Sequence, residues 1–499
     1  MRPPARDWRI VWFAIGAWLA AAIGDLAAPR TCWGVALLAT AIVAATSRRH
    51  PAVALGGIGV ALGTVSAGLH AHALRTGPVP YFAARGAAVT VIARVVRDPV
   101  PVAQDPGLTL IDATVSRVAP LAGQGRGESA DAPVLVMSYG AGWGGMLPGQ
   151  WVRLVGVLHP PRTGDDVAAV LSARAPPIQL GRPPWWQRAA GQVRSALRAA
   201  TSKLPPDERG LLPSLVDGDT SRAPPSLQAA MRATGLTHLE AVSGENVSIV
   251  LAVALAGARG LGLRRRWRVV ASGLALLGFV VLARPTPSVL RAAVMGAVVL
   301  AGMWLGRRAS PLPAVSAAVA GLVLVQPSLA RSIGFVLSVV ATAALVTVAP
   351  VWARRLSRHM PRPLALAVAV AAAAQLACTP VLIAAFGTLT PYAVPANLLA
   401  APAVPPATVL GVAAAVAATV CPPLGVGLGW LAAAPTAVIA HVARLLAALP
   451  GANARWSATT AVLCGIVAVL AVGVMLWRRG LPCREAGVGR DILGRWPQT

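Results

Sequence analysis

"GLTHLEAVSGENVSIVLAVALAGARG", residues Gly235–Gly260, ends as an apolar run of the kind that crosses a bilayer. It begins with His238, Glu240, Ser243, Gly244, Glu245 and Asn246. An ionisable side chain at the centre of a spanning helix costs about 2.5–3.5 kcal/mol on insertion scales. Such a cluster belongs either at the membrane surface or in a polar site walled by protein, where that cost falls. Both placements stand open for His238 and Glu240. Glu245 and Asn246, deeper in the run, are expected in a buried polar site. On a continuous helix His238 and Glu245, seven apart, share one face while Glu240 points away, and Gly244 loosens the turn between them.

The rest of the chain supports the membrane reading. It has 499 residues, 56% of them hydrophobic and 12% charged, and its apolar blocks repeatedly approach 20 residues. That is the composition of a polytopic α-helical membrane protein. The net charge of +27 is carried almost wholly by arginine, with Lys203 the one lysine. With the heavy use of Ala, Gly and Pro, this reads as the codon bias of a GC-rich genome rather than a nucleic-acid surface. Five scattered cysteines form no C-x-x-C pair, and His70 with His72 ends an apolar helix, so no disulfide framework, metal site or cofactor is expected.

Five regions follow from texture. Residues 1–80 hold about three spans, near 8–28, 32–46 and 52–74. Residues 81–181 switch to short alternating stretches such as "AAVTVIARVV" and "GQWVRLVGVL", the pattern of strands, and an insert of this size hides its strand edges best as a small closed barrel. In the last of these Val152 and Leu154 face one way, and Trp151, Arg153 and Val155 the other. Residues 182–206 form an amphipathic helix with Trp186, Ala190, Val193, Leu197, Ala200 and Leu204 on one face. It lies in the membrane interface or packs on the barrel.

Residues 207–477 return to apolar segments, with spans expected at 239–257, 269–283, 287–305, 312–326, 333–350, 364–385, 393–417, 424–449 and 457–477, and 478–499 is a short tail. The total is about eleven to thirteen helices. Placing Arg2, Arg6 and Arg9 in the cytoplasm puts Arg48 and Arg49, the run 259–268, Arg307 with Arg308, the cluster 354–362, and Arg478 with Arg479 on the same side. The positive-inside rule requires this, and it sends the barrel outside.

Five stretches, "GLLPSLVDGDTS" (210–221), the 235–250 segment, "RPTPSVLRAAVMG" (284–296), "SIGFVLSVVATAAL" (332–345) and "TPVLIAAFGTLTPYAVPANLLAAPAVPP" (379–406), together resemble in order the ComEC family of competence proteins. The resemblance covers about residues 30–477. It implies an N-terminal hairpin, an extracytoplasmic OB-like domain and a polytopic core in the cell (cytoplasmic) membrane that passes single-stranded DNA. Partners so implied are the lipid bilayer, a separate nuclease, a DNA receptor and a cytoplasmic helicase. Candidate residues for the polar path are those of the 235–250 segment with Asp217, Asp219, Thr220, Arg291 and Asn397. Asp217 and Asp219 are open to metal or proton binding or to plain turn and cap chemistry. Arg291, one turn inside a helix, needs a partner. The prolines around Asn397 predict broken helices.

For the barrel, Trp143 and Trp151 are candidate base platforms and Arg153 a phosphate contact. Against this, eight arginines face seven acids between residues 85 and 180, so the barrel is no strong electrostatic trap, and these aromatics suit the barrel core better than base platforms. Two departures from the family stand out. "HAHAL" (70–74) lacks the Asp-His half of the H-x-H-x-D-H signature found in the metallo-β-lactamase-like domain of many members, and the chain stops about 20 residues after its last expected span. No nuclease or other enzymatic activity is therefore expected. Glu240 and Glu245 stand where the family has apolar residues; they are open to binding a cation, pairing with Arg291, or protonation by burial. The alternatives to a DNA channel are a proton- or cation-coupled transporter or flippase, and a membrane scaffold for a separate nuclease.

Overall fold

The computed structural model describes residues 9–452 and 454–455, apart from 25–28, 47–50, 103–104, 106, 122–126, 140–141, 144, 163, 241, 285 and 307–310. The expected last span at 457–477, the tail, Pro285, and Arg2, Arg6, Arg48, Arg49, Arg307, Arg308, Arg478 and Arg479 lie outside the described residues.

Three apolar helices lead: α1 (Arg9–Gly24), α2 (Pro29–Thr46) and α3 (Pro51–Arg75). A Cβ on Gly16 or Gly59 would run into the backbone of the opposing helix, so α1 and α3 meet through small residues. In lipid, where apolar side chains gain little by leaving the solvent, such close backbone contact is what holds helices together.

A short helix, α4 (Pro78–Ala84), leads into the strands β1 (Ala88–Val95), β2 (Val100–Pro101), β3 (Thr109–Pro120), β4 (Glu128–Ser138), β5 (Trp151–His159), β6 (Ala169–Ala173) and β7 (Ile178–Leu180). β1, β3, β4, β6 and β5 follow one another around a ring that closes by pairing β1 with β5. Only the β4–β6 pairing in this ring is parallel. This is a small OB-like barrel, and closure leaves the ring no free edge. Alternation is the cause: along β5 Val152 and Leu154 are buried, while Trp151 and Arg153 are exposed. The barrel interior is filled by Val, Ile, Leu and Ala, with Val79 and Ala83 of α4 completing it.

The helical core comprises α5 (Trp185–Ala200), α6 (Pro206–Asp217), α7 (Pro225–Ala233), α8 (Thr237–Glu240), α9 (Gly244–Gly260), α10 (Arg265–Ala283), α11 (Pro287–Trp304), α12 (Pro311–Val325), α13 (Ile333–Thr347), α14 (Ala349–Leu356), α15 (Arg362–Phe386), α16 (Ala393–Ala400), α17 (Val404–Val420) and α18 (Pro422–Ala447). Two-residue strands β8 (Thr388–Leu389) and β9 (Ala454–Arg455) pair beside it. Prolines open α6, α7, α11, α14, α15, α17 and α18. At the first turn a missing N–H costs nothing and the fixed φ suits a helix.

Among the described residues four helices are long and apolar enough to cross a membrane: Ala52–Arg75, Arg265–Ala283, Arg362–Phe386 and Pro422–Ala447. The number rises to six if the bent pairs α13–α14 and α16–α17 each count once. The run expected to span at 333–350 is bent by 44° where α14 begins, one residue before Pro350. That expected at 393–417 is bent by 53° between Ala400 and Val404, beside Pro402. The run expected at 239–257 also differs: its helix starts only at Gly244, behind a non-helical break.

Polar side chains tie the barrel to the helices at His70 and at Asp98. In the β5–β6 connection Asp166 Oδ1 lies 2.5 Å from His70 Nε2 at the end of α3. Burial alone would raise the Asp166 carboxyl, but hydrogen bonds from His70, Ser328 and Gln326 hold it below the usual carboxylate range. The second tie, at Asp98, belongs to the polar junction below.

Candidate functional site

α6 ends in the D-G-D-T turn. Gly218 takes the left-handed conformation (φ 78°) and closes the helix. The Asp219 amide donates to Asp217 Oδ1 at 3.0 Å, and the Ser221 amide to Asp219 Oδ1 at 3.1 Å. Because the Asp219 amide is turned to a side chain, the Leu215 carbonyl loses its helical partner. Asn246, fully buried on α9, supplies it: its Nδ2 donates to Leu215 O at 2.9 Å, and its Oδ1 accepts from Thr408 Oγ1 of α17 at 3.4 Å. One amide thus joins three helices.

Arginines surround this turn. Arg194 is on the apolar face of α5 and only 8% exposed. Its Nη1 donates to Asp217 O (2.9 Å) and Leu282 O (3.0 Å), the carbonyl ends of α6 and α10. A guanidinium there satisfies orphan acceptors and meets the negative ends of two helix dipoles. The same side chain lies 3.9 Å from Asp217 Oδ2 and 3.7 Å from Asp98 Oδ2. Arg198 Nε stands 2.8 Å from Asp219 Oδ2. Arg284 Nε donates to Asp98 Oδ2 at 2.8 Å, and its Nη1 to Gln187 Oε1 of α5.

Three arginines thus offset three aspartates, and Asp98, from the β1–β2 connection, fastens the barrel to the core. Arg284 has φ 68°, the one positive value among described non-glycine residues. Such a conformation costs about 1–3 kcal/mol and persists only where contacts hold it, here Asp98 and Gln187.

The turn uses Oδ1 of Asp217 and of Asp219; Oδ2 of each makes no hydrogen bond and faces an arginine, and no metal-type cluster of three or more ligands occurs among the described residues. Burial pushes the Asp217 carboxyl up to about 6 against the opposing pull of Arg194. A carboxyl raised on folding gives stability that is complete below its unfolded value and lost as pH rises through its folded one. Relative to Asp217→Asn, the wild type should lose thermal stability between about pH 4 and pH 6. Melting curves of the two proteins that stay parallel over that range would contradict this.

The second centre is the break before α9. Glu240 is 7% exposed and its Oε1 has no hydrogen-bond partner; Ser243 is extended and its buried Oγ also has none. A Cβ on Gly244 would sit 3.3 Å from Ala292 Cβ and 3.4 Å from Arg291 Nη2, so the start of α9 presses on α11. Arg291, 4% exposed, donates to Thr342 Oγ1 at 2.7 Å and to Ser338 Oγ, both on α13, and approaches Met295 Sδ at 3.7 Å.

Several expectations change. The break separates His238 from Glu245, so they share no helix face. Glu240 is the buried carboxylate and Glu245 the exposed one, because α9 turns Asn246 inward and its predecessor outward. His238 is exposed, its Nδ1 3.1 Å from Gly235 O. Arg291 takes hydroxyls, not a glutamate. Thr220 is exposed beside the turn. Asn397 bonds back to Ala393 O at 2.8 Å within α16 and joins neither centre.

The amphipathic helix α5 buries Ala190, Leu197 and Ala200, packs on α17, α18 and α10, and touches the barrel at Leu147 and Asp98, with Trp185 and Trp186 exposed at its start. Trp143, 3% exposed, is part of the barrel core and no platform for a base. Trp151 and Arg153 are exposed on β5, and the Arg94 guanidinium lies 6.0 Å from the Trp151 ring centroid.

Arg194, Arg198, Arg284, Asp98 and Arg94 escaped the sequence reading. For Arg194 a signal exists, since it follows Ala190 by four and precedes Leu197 by three on the apolar stripe.

A family model described as Competence protein matches residues 215–480, just over half of the chain. "ComE operon protein 3" of Bacillus subtilis (strain 168) is 30% identical over 201 residues, which is 40% of this chain and 25% of that relative. The match therefore spans about a quarter of the relative's length. No solved structure matches the chain.

Proposed function

This chain belongs to the competence protein family, and on that premise we propose that it carries one strand of DNA across the cytoplasmic membrane during natural transformation. The observation that carries the reading is Arg291: a cation buried in the helical core, with hydroxyls but no acid around it among the described residues. A path for phosphates needs such a charge, whereas a cation path is impeded by it. The exposed Trp151, Arg153 and Arg94 offer a first contact for the strand on the barrel.

In this reading the shorter apolar helices α1, α2, α11 and α12 cross with the longer ones, toward the expected eleven to thirteen. The N-terminus is cytoplasmic and the barrel external. The protein itself performs no catalysis; a separate nuclease, a DNA receptor and a cytoplasmic helicase act with it.

The test is deletion in a transformable host followed by exposure to labelled DNA. Entry of the label should be abolished, and unchanged entry ends the channel reading. A proton- or cation-coupled transporter is the second reading, favoured by the buried Glu240, whose Oε1 has no hydrogen-bond partner. Glu240→Gln should leave DNA entry within about twofold under the first reading; abolished entry favours coupling through this carboxyl.

A further inference from the structure

We propose that the break before α9 is a binding site for one phosphodiester group, formed by Arg291, Ser243 and the first amides of α9. Four observations converge there. α9 runs for 17 residues, and its N-cap Ser243 makes no capping hydrogen bond. The amides of Gly244, Glu245 and Asn246 donate to no described backbone acceptor; the first to do so is Val247, to Ser243 O. Amides left free at a helix start, where the dipole is positive, suit an anion. The Ser243 hydroxyl is buried without a partner and stands beside these amides.

The independent observation is Arg291. It is nine-tenths buried, its Nε has no partner, and no ion pair to it occurs among the described residues. Its guanidinium reaches the start of α9, with Nη2 3.4 Å from where a Gly244 Cβ would be. Ser338 and Thr342 hold the guanidinium in place but supply no countercharge. A buried cation without an anion is costly, and an oxyanion beside the guanidinium at the start of α9 would offset that cost. Any side chain in place of Gly244 would crowd Arg291, and Ser243 and Gly244 are themselves half-buried.

Glu245 sets the charge of the occupant. Its exposed carboxylate stands on the first turn of α9, one residue from Gly244. A phosphate dianion would meet that repulsion twice over, whereas a phosphodiester carries a single negative charge. The site therefore favours a diester over a free phosphate or a monoester. Phosphodiesters occur both in a DNA strand and in phospholipid headgroups. This inference takes the strand as the source and in that respect rests on the DNA reading.

The experiment uses the full-length protein in maltoside micelles, which contain no phosphate. Binding of a labelled oligothymidylate is read by fluorescence anisotropy. Arg291→Gln should weaken binding about tenfold or more, while Arg291→Lys should recover part of it. A methylphosphonate analogue of the same oligomer, which lacks the charge, should bind equally to wild type and variant. Ser243→Ala and Gly244→Ala, which leave Arg291 in place, should each weaken the oligothymidylate several-fold and keep the test usable if Arg291→Gln does not fold. Dimethyl phosphate should compete better than inorganic phosphate, and Glu245→Gln should narrow that gap.

Equal binding by the wild type and a folded Arg291→Gln, or by wild type and both smaller variants, overturns the site. Competition by phosphatidylglycerol that needs Arg291, without oligonucleotide binding, keeps the diester site but overturns the strand as its source. If the oligomer binds through Arg291 yet the deletion strain still takes up DNA, the site stands and the transport reading falls. If deletion stops uptake while Arg291→Gln neither binds nor transports differently from wild type, the transport reading stands and the site falls.

Discussion

Arg194→Leu is expected to destabilise the protein by about 3–5 kcal/mol, the cost of removing one partner from a buried ion-pair network. The loss has two sources. Asp217, almost wholly buried, would keep its carboxyl without the nearest guanidinium, and the Asp217 and Leu282 carbonyls would each lose a donor. The ends of α6 and α10 would then face each other with no cation between them. Arg188→Leu, on the exposed face of the same helix, removes the same charge at a surface position and should change stability by no more than about 0.5 kcal/mol. Retention of a monodisperse peak after heating in maltoside compares the two. Equal losses would mean that Arg194 is a surface charge and the junction is not as drawn. The pair Arg194→Leu with Asp217→Leu should cost less than the sum of the singles, since the second change removes the charge that the first left bare.

The junction also explains what could be read from the chain and what could not. The barrel was legible because a half-buried strand alternates with period two, and β5 does so along most of its length. The prolines around Asn397 announced the break between α16 and α17 for an equally local reason. The start of α9 was legible only as a loosened turn at Gly244, because nothing local tells whether the polar stretch from His238 to Asn246 stays helical. What stops the helix is tertiary: Asn246 is drawn to Leu215 O, and Gly244 is pressed against Ala292.

Depth along the run also misled. Glu245 and Asn246 are neighbours, but successive residues of a helix point about 100° apart, so one can be fully buried while the other is exposed. The ion network was hidden by distance in the chain. Asp98 and Arg284 are 186 residues apart, and no spacing rule joins them. A single arginine among the chain's 44 basic residues carries no mark of burial except its place on an apolar stripe, as Arg194 shows.

Asn246→Asp should be nearly as damaging as Arg194→Leu, at about 3–5 kcal/mol, although it changes one atom type and almost no volume. The amide works because it has both a donor and an acceptor: Nδ2 gives to Leu215 O, and Oδ1 takes from Thr408 Oγ1. A carboxylate has only acceptors, so one of its oxygens would confront the Leu215 carbonyl at the distance where the amide hydrogen bond now lies. Neither the carbonyl nor the new charge has another described partner within that fully buried contact.

Asn246→Leu tests the other half of the argument. It brings no charge but leaves Leu215 O unsatisfied, a loss of about 1–3 kcal/mol. The order wild type, Asn246→Leu, Asn246→Asp in thermal stability is therefore the expected result. A reversed order, with the carboxylate better tolerated than leucine, would mean that water or a cation reaches Asn246 and that α6, α9 and α17 do not close over it.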